Sequence, residues 1–239
     1  SLKTTARDYL ADLLPKIAGS SSYVFTVQNG LGNEEFISRF VPMERIIGGV
    51  AFVCLNRLSA GCVSHTAFGM LKAQEMSPES DPSFLLKIQE LFIAAGIEFI
   101  ITDSLKTIKW EKLVWNLPFN GLSGALGGVD TRSLLEHKPT YALVEALMKE
   151  VLVNAHAQGI PLSDSLVAQN IEKTLPMGPY YTSMALDRKH GNALEAETIV
   201  GEPLRMGLAK GLKLPYTEQL YATLSYYNQY LKNTSKETQ

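Results

Sequence analysis

The stretch Phe99-Ile100-Ile101-Thr102-Asp103 marks the point at which the pattern of the chain changes. Before Asp103, short runs of β-branched and aromatic residues alternate with segments of helical spacing, which is typical of a sheet covered by helices. After Asp103, apolar residues recur at helical spacing almost to the end of the chain. We therefore expect an α/β domain over residues 1–102 and an all-α domain over residues 103–239.

The first domain is predicted to be incomplete. Its helices are expected over 4–17, 34–40 (with Asn33 as the N-cap) and 82–96, and its strands over 23–27, 46–55, 62–66, 70–74 and 99–102. No G-x-G-x-x-G motif follows a strand. The glycine-rich stretch 124–128 follows a predicted helix, so its backbone has no reason to cradle a pyrophosphate.

The second domain is predicted to be helical throughout. Its helices are expected over 104–126, 139–158, 163–174, 182–200, 201–211 and 217–231. No low-complexity linker separates the two domains.

Composition excludes several classes of function. Hydrophobic residues make up 46% of the 239 residues and charged residues 19%, a balance that allows a sizeable core. A net charge of −2 gives no electrostatic reason to expect nucleic acid or an anionic membrane as a partner. No apolar stretch is long enough to cross a bilayer, and no secretory signal is visible. We therefore expect a cytoplasmic protein.

Cysteine and histidine usage agrees with that expectation. The two cysteines, Cys54 and Cys62, favour a reducing cytosol and two free, buried thiols, with a disulfide across a hairpin as the less favoured alternative. The four histidines show none of the close pairings of zinc sites, so we expect no metal.

A polar row on one predicted helix is the sharpest local signal. Lys112, Asn116 and Asn120 recur every fourth residue, which places them on one helical face. A solvated face is the simpler interpretation for an arbitrary helix. The apolar residues around this row, including Trp115 and Phe119, instead favour a dry face on which the amides need partners.

Two further motifs are weak when each is taken alone. Ser183 reads as an N-cap or first-turn residue, and a solvated Glu195 three helical turns later needs no special role. Asn29-Gly30 follows a predicted strand, and a strand-ending turn explains it fully.

Taken in order, these motifs resemble the ketopantoate reductase family. The resemblance rests on Gln28 to Glu34, Gly61-x-Val63-x-His65, Lys112-x3-Asn116-x3-Asn120 and Ser183-Met184-x2-Asp187-x7-Glu195, and runs from Lys3 to about Tyr230. It implies an NADPH-dependent reductase that converts 2-dehydropantoate (ketopantoate) to pantoate on the way to coenzyme A. It also implies a Rossmann-like cofactor domain, of which residues 1–102 are the C-terminal part, followed by a helical substrate domain like that of 6-phosphogluconate dehydrogenase.

The resemblance implies two catalytic residues. Lys112 matches the general acid, since reduction of the C2 carbonyl leaves an alkoxide that an ammonium within reach can protonate. Glu195 matches a glutamate that accepts a hydrogen bond from the substrate hydroxyl and balances the charge of Lys112.

The resemblance also implies the binding residues. Asn116 and Asn120 match asparagines that orient the substrate oxygens, and Ser183 matches a donor to the substrate carboxylate. Asn29 matches a residue at the nicotinamide end of the cofactor, and Lys3 matches a lysine at the cleft between the domains.

The departure from the family pattern lies at the start of the chain. The family's first strand, its Gly-rich loop and the basic residue for the 2′-phosphate should all precede Lys3, so the sheet should expose an unpaired edge. The start Ser1-Leu2-Lys3 has no methionine and looks like a cloning remnant, although processing would give the same result. We expect a truncated chain that holds NADPH weakly and is inactive alone, from a parent that is the active reductase.

Two alternatives stay open. One is a reductase of the same superfamily that acts on another 2-oxo acid, because fold alone does not determine the substrate. The other is a non-catalytic helical dimerisation module. The expected partners are a small 2-oxo acid, no nucleic acid and no membrane, with a homodimer as an open alternative.

Overall fold

The computed structural model describes residues 2–237, apart from the side chains of residues 56–58, 66–67 and 235–237. The chain forms two compact units, Ser1–Ile108 and Lys109–Gln239. The division falls inside one helix, six residues beyond the boundary predicted from the sequence. None of the helices within the described residues is long and apolar enough to cross a membrane.

The first unit contains a mixed four-stranded sheet. Its strands are β1 (Val24–Thr26), β2 (Ile46–Ser59), β3 (Cys62–Glu75) and β4 (Glu98–Ile101), and they lie in sequence order. β1 pairs with β2 in parallel, β2 with β3 antiparallel, and β3 with β4 in parallel. Within the described residues β1 and β4 are the two edge strands of the sheet.

Helices cover both faces of this sheet. A 3₁₀ turn (Thr4–Ala6) leads into α1 (Arg7–Ile17), and α2 (Asn33–Ile37) and α3 (Pro82–Ala94) follow. Ile46 packs in a cluster with Leu14 and Ile37, whereas its neighbour Ile47 packs with Leu85. Because successive strand residues point to opposite faces, α1 and α2 cover one face and α3 covers the other.

Two predictions about the strands of this unit are wrong. Residues 62–66 and 70–74 belong to a single strand, because a bulge at Phe68 (φ 63°) and Gly69 (φ 146°) absorbs the irregularity between them. Cys62 is exposed rather than buried, since it lies at the end of the long β2–β3 hairpin, whereas Cys54 is buried as predicted.

The second unit is helical. Its helices are α4 (Leu105–Ala125, which begins in the first unit), α5 (Thr131–Glu136), α6 (Lys138–Ala157), α7 (Leu166–Thr174), α8 (Ser183–Lys189), α9 (Glu202–Ala209) and α10 (Pro215–Glu237). A 3₁₀ turn spans Leu175–Met177 and a π-helical turn spans Glu197–Gly201. Helix α5 was not predicted.

Helix α4 is the centre of this unit. Side chains from most of its circumference are fully buried, as expected for a helix enclosed by others: Trp110, Leu113, Val114, Leu117 and Phe119. A Cβ atom built on Gly121 would lie 2.6 Å from Cδ2 of Leu220, so α10 packs directly on the backbone of α4.

The predicted helix over 182–200 is broken in the structure. After α8, the Asn192 N–H donates to the Asp187 carbonyl and the Gly191 N–H to the Arg188 carbonyl, with Gly191 at φ 69°. This pair of bonds is a Schellman motif, which ends a helix on a left-handed glycine. Glu195 therefore lies outside α8, in a segment that leads into the π-helical turn.

The N-cap of α5 makes a pH-dependent contribution to stability. Asp130 accepts hydrogen bonds from the Ser133 N–H and hydroxyl, both at 2.9 Å. Burial alone would raise the pKa of Asp130, but the Ser133 bonds outweigh it and lower the pKa below its ordinary value. A carboxyl with a lowered folded-state pKa stabilises the fold above its unfolded pKa and loses that contribution as the pH falls.

We therefore expect Asp130→Ala to lower the free energy of unfolding by about 1 kcal/mol at neutral pH. The difference from wild type should shrink as the pH falls below about 4. Urea unfolding at several pH values measures this, with the exposed Asp164→Ala as control. A difference that is equal at neutral and acid pH would contradict the assignment.

Candidate active site

The predicted polar row of α4 is largely buried. The side chains of Asn116 and Asn120 are 6% and 4% exposed, and Lys112 is half-buried on the same face. The interpretation as a solvated face is therefore wrong, because the apolar surroundings of α4 dry this face as well. Trp115 and Phe119 pack against each other beside it, with ring centroids 5.0 Å apart.

Asn120 joins α4 to the start of α8. Its Oδ1 accepts from the Ser183 hydroxyl at 3.2 Å and from the Met184 N–H at 3.3 Å. Thr182 is the N-cap of α8, so Ser183 is a first-turn residue, which is one of the two roles predicted for it. The side chain of Ser183 is exposed, which leaves its hydroxyl accessible to a ligand.

Gly124 continues the row by one more turn and lets two segments approach α4. A Cβ atom on Gly124 would lie 3.0 Å from Cγ and Sδ of Met184 and 3.2 Å from Cδ1 of Leu194. Met184 follows Ser183 and Leu194 precedes Glu195. This glycine therefore brings the segments that carry Ser183 and Glu195 to the same end of the row, a function that sequence spacing alone did not identify.

Glu195 is buried rather than solvated. Its side chain is only 6% exposed, and its carbonyl accepts from the Ile199 N–H at 3.3 Å as the π-helical turn begins. Burial of a carboxylate is costly unless its charge is compensated. The expectation that Glu195 continues the helix of Ser183 is wrong, for the reason given above for Gly191.

The π-helical turn after Glu195 is held by α9 and α10. The Tyr221 hydroxyl donates to Glu197 at 2.6 Å, and Arg205 forms an ion pair with Glu197 at 3.1 Å. Burial and this hydrogen bond both raise the pKa of Tyr221, so the phenol stays protonated as the donor. A Cβ atom on Gly201 would lie 2.6 Å from the Tyr221 ring, so this position favours glycine.

In the first unit, Asn29 lies in a loop that Asn33 holds. The Asn33 amide donates to the Asn29 carbonyl at 3.0 Å, while its oxygen accepts from Arg7 at 3.2 Å. The predicted N-cap role of Asn33 is wrong, because Gly32 (φ 74°) precedes the helix and Asn33 is its first residue. Its side chain instead reaches back to the loop.

Lys3 lies near the same loop. The side chain of Lys3 is exposed, and the carbonyl of its neighbour Leu2 accepts from the Gln28 amide at 2.6 Å. The two residues predicted for the cofactor therefore lie on adjoining segments of the first unit, while the five predicted for substrate and catalysis belong to the second.

The described residues do not by themselves fit the diphosphate of a dinucleotide. No strand, Gly-rich loop and long helix follow one another in residues 2–237; the loop after β1 leads into the short α2. Gly124 packs against side chains, and a Cβ on Gly128 would lie 2.8 Å from the Ala185 carbonyl. These glycines serve helix packing. Within the same residues, no group of three or more His, Cys, Asp or Glu side chains is placed to hold a metal ion.

The chain is similar in sequence to proteins of a known family. The family description "Ketopantoate reductase PanE/ApbA C terminal" matches residues 104–228, and "Ketopantoate reductase PanE/ApbA" matches residues 1–78. A 2-dehydropantoate 2-reductase of a Nostoc species is 37% identical over 230 residues, which is 95% of this chain and 72% of that protein.

Solved structures agree with these matches. The crystal structure of 2-dehydropantoate 2-reductase from Geobacter metallireducens is 38% identical, with a TM-score of 0.88 over 95% of this chain and 75% of that chain. D-mandelate dehydrogenase in a ternary structure with NADH and anilino(oxo)acetate is 22% identical, with a TM-score of 0.86 over 97% of this chain and 76% of that chain, a likeness of fold alone. The predicted fold, a Rossmann-like unit followed by a helical one, is confirmed. By sequence and by fold, the chain belongs to the ketopantoate reductase (PanE/ApbA) family.

Proposed function

We propose that this chain forms the substrate-binding and proton-donating part of a 2-dehydropantoate 2-reductase. The observation that carries the proposal is the buried amide row of α4, joined through Asn120 to the accessible hydroxyl of Ser183. A ligand that forms hydrogen bonds with buried amides is stabilised by them. A ligand that leaves the amides without hydrogen bonds binds less tightly. In this proposal the second unit binds the substrate and the first unit contributes to the cofactor domain.

The polar groups match the oxygens of 2-dehydropantoate. Asn116 and Asn120 would orient its carbonyl and hydroxyl oxygens, while the Ser183 hydroxyl would turn from Asn120 Oδ1 and donate its single proton to the substrate carboxylate. Since a site built around a substrate hydroxyl rejects analogues that lack it by large factors, this set of residues also accounts for specificity.

Lys112 would act as the general acid. Reduction of the C2 ketone places negative charge on its oxygen, and the Lys112 ammonium, on the same helical face as the amides, would donate the proton. Glu195 would accept a hydrogen bond from the substrate hydroxyl and balance the positive charge of Lys112.

The hydride would come from a nicotinamide dinucleotide, and NADPH is the specific proposal. Asn29 would lie at its nicotinamide end, and Lys3 would be a second cofactor-binding residue. The NADH-bound D-mandelate dehydrogenase of the same fold supports a dinucleotide in general. The described residues do not by themselves fit its diphosphate.

We expect the 239-residue chain alone to bind NADPH only weakly, since the Gly-rich loop that contributes most phosphate contacts is not in its sequence. Fluorescence titration of the chain with NADPH measures the affinity, and the native protein purified from its source is the comparison. Micromolar affinity of the 239-residue chain alone would overturn the expectation.

A substrate panel tests the proposed function. The native protein is assayed with NADPH against 2-dehydropantoate, 2-ketoisovalerate and oxaloacetate. We expect the highest kcat/KM with 2-dehydropantoate, because 2-ketoisovalerate lacks the hydroxyl and oxaloacetate adds a charge. A higher kcat/KM with either analogue would identify another 2-oxo acid as substrate, and no turnover of any of them would favour the dimerisation module.

The cytoplasmic location and the homodimer remain proposals. The presence of only two cysteines among 239 residues supports a reducing compartment. Sedimentation equilibrium of the purified protein decides the oligomeric state.

A further inference from the structure

We propose that Asn228 is a positioning residue of the active site, which holds Glu195 in place through the peptide groups of Leu194. The proposal rests on the proposed function, in which Glu195 contacts the substrate. Asn228 lies on α10, and nothing in its sequence context distinguishes it from a solvated helical amide.

The geometry is a two-sided clamp on one backbone residue. Asn228 Oδ1 accepts from the Leu194 N–H at 2.8 Å, and Asn228 Nδ2 donates to the Leu194 carbonyl at 2.8 Å. The two residues are 34 positions apart in the chain. The amide thus pairs with both backbone groups of Leu194, as a neighbouring strand would.

Leu194 is also held through its side chain. It is 1% exposed, and its Cδ1 would lie 3.2 Å from a Cβ atom built on Gly124 of α4. α10 therefore fixes the backbone of Leu194 while α4 receives its side chain. The next residue is Glu195, so its position relative to the polar row is determined on two sides.

The segment needs such an external restraint. The Schellman motif at Gly191 ends α8, and the π-helical turn begins at Glu197, so Leu194 lies between helices. The Leu194 N–H and carbonyl form their bonds with Asn228 instead of with a helical neighbour. A single amide side chain thus replaces the backbone hydrogen bonds that a helix would provide.

The chemistry requires an amide at position 228. Aspartate has nearly the same shape, but its carboxylate only accepts hydrogen bonds. Asn228→Asp would therefore keep the bond from the Leu194 N–H and repel the Leu194 carbonyl. Asn228→Ala would lose both bonds.

The experiment compares Asn228→Ala and Asn228→Asp with Gln229→Ala, an exposed neighbour on α10 that serves as the matched control. Each substitution is introduced into the native protein. Amide hydrogen exchange at Leu194 and Glu195 reports the clamp without reference to activity. Steady-state kinetics with 2-dehydropantoate and NADPH reports the site, and thermal unfolding reports the fold.

We expect faster exchange at Leu194 and Glu195 in both Asn228 variants, and kcat lower by about 10- to 100-fold, since small displacements of catalytic groups have effects of this size. In the Glu195→Gln background, Asn228→Ala should cause little further loss, because residues that act as one unit are not additive. Gln229→Ala should match wild type in every measurement.

The outcomes separate the inference from the proposed function. Unchanged exchange at Leu194, unchanged kcat despite faster exchange, or a full additive loss in the Glu195→Gln background would each overturn the role of Asn228. If the unsubstituted protein reduces no 2-dehydropantoate, the proposed function fails, and the exchange rates still decide whether Asn228 holds the Leu194 peptide.

Discussion

Lys112→Ala is expected to lower kcat by about two to four orders of magnitude, the range that general acid catalysis contributes. The fold should be retained, because Lys112 is half-buried at the edge of the α4 core rather than within it. Alanine also has the highest helix propensity, so α4 itself is not weakened. Steady-state kinetics with 2-dehydropantoate and NADPH measures the loss, and circular dichroism checks the fold.

Two controls distinguish proton donation from charge alone. Lys106→Ala removes an exposed lysine from the same helix and should leave kcat unchanged. Lys112→Arg keeps the positive charge but does not release a proton at ordinary pH, so its kcat should also fall steeply while KM changes less. Turnover of Lys112→Ala close to that of wild type would remove Lys112 from the mechanism.

Glu195→Gln is expected to lower kcat/KM by about 100-fold, because the buried amide neither balances the charge of Lys112 nor accepts hydrogen bonds as strongly as a carboxylate. Glutamine has almost the same volume, so the buried site should remain packed. The measurement is kcat and KM for 2-dehydropantoate, with thermal unfolding alongside it.

Glu172→Gln on the exposed face of α7 is the matched control and should leave both constants unchanged. If Glu195→Gln has the kcat/KM of wild type, Glu195 is a buried structural residue with no part in the reaction. A loss confined to thermal stability would lead to the same conclusion.

Spacing along one element could be predicted from the sequence. Lys112, Asn116 and Asn120 share a face because a helix repeats every 3.6 residues, and that relation needs no tertiary information. The change from strands to helices near Asp103 is likewise a local pattern, and the structure places the division only six residues later. Burial of the amides followed from the apolar density of α4.

Contacts between distant segments could not be predicted in this way. The left-handed conformation of Gly191, which ends α8 and frees Glu195 from the helix, competes with a helical pattern that continues through residue 200. The close approach at Gly124 and the clamp by Asn228 depend on which helices pack together. A lone sequence contains no direct record of that packing.

The most direct test of the proposed reductase traces the hydrogen atom that is transferred to C2 of 2-dehydropantoate. The native protein is incubated with 2-dehydropantoate and with NADPH that carries deuterium at C4 of the nicotinamide, in the position of the transferred hydride. The product is then analysed by mass spectrometry and NMR. We expect pantoate with a single deuterium at C2. Absence of pantoate, or pantoate whose C2 hydrogen comes from solvent, would contradict it.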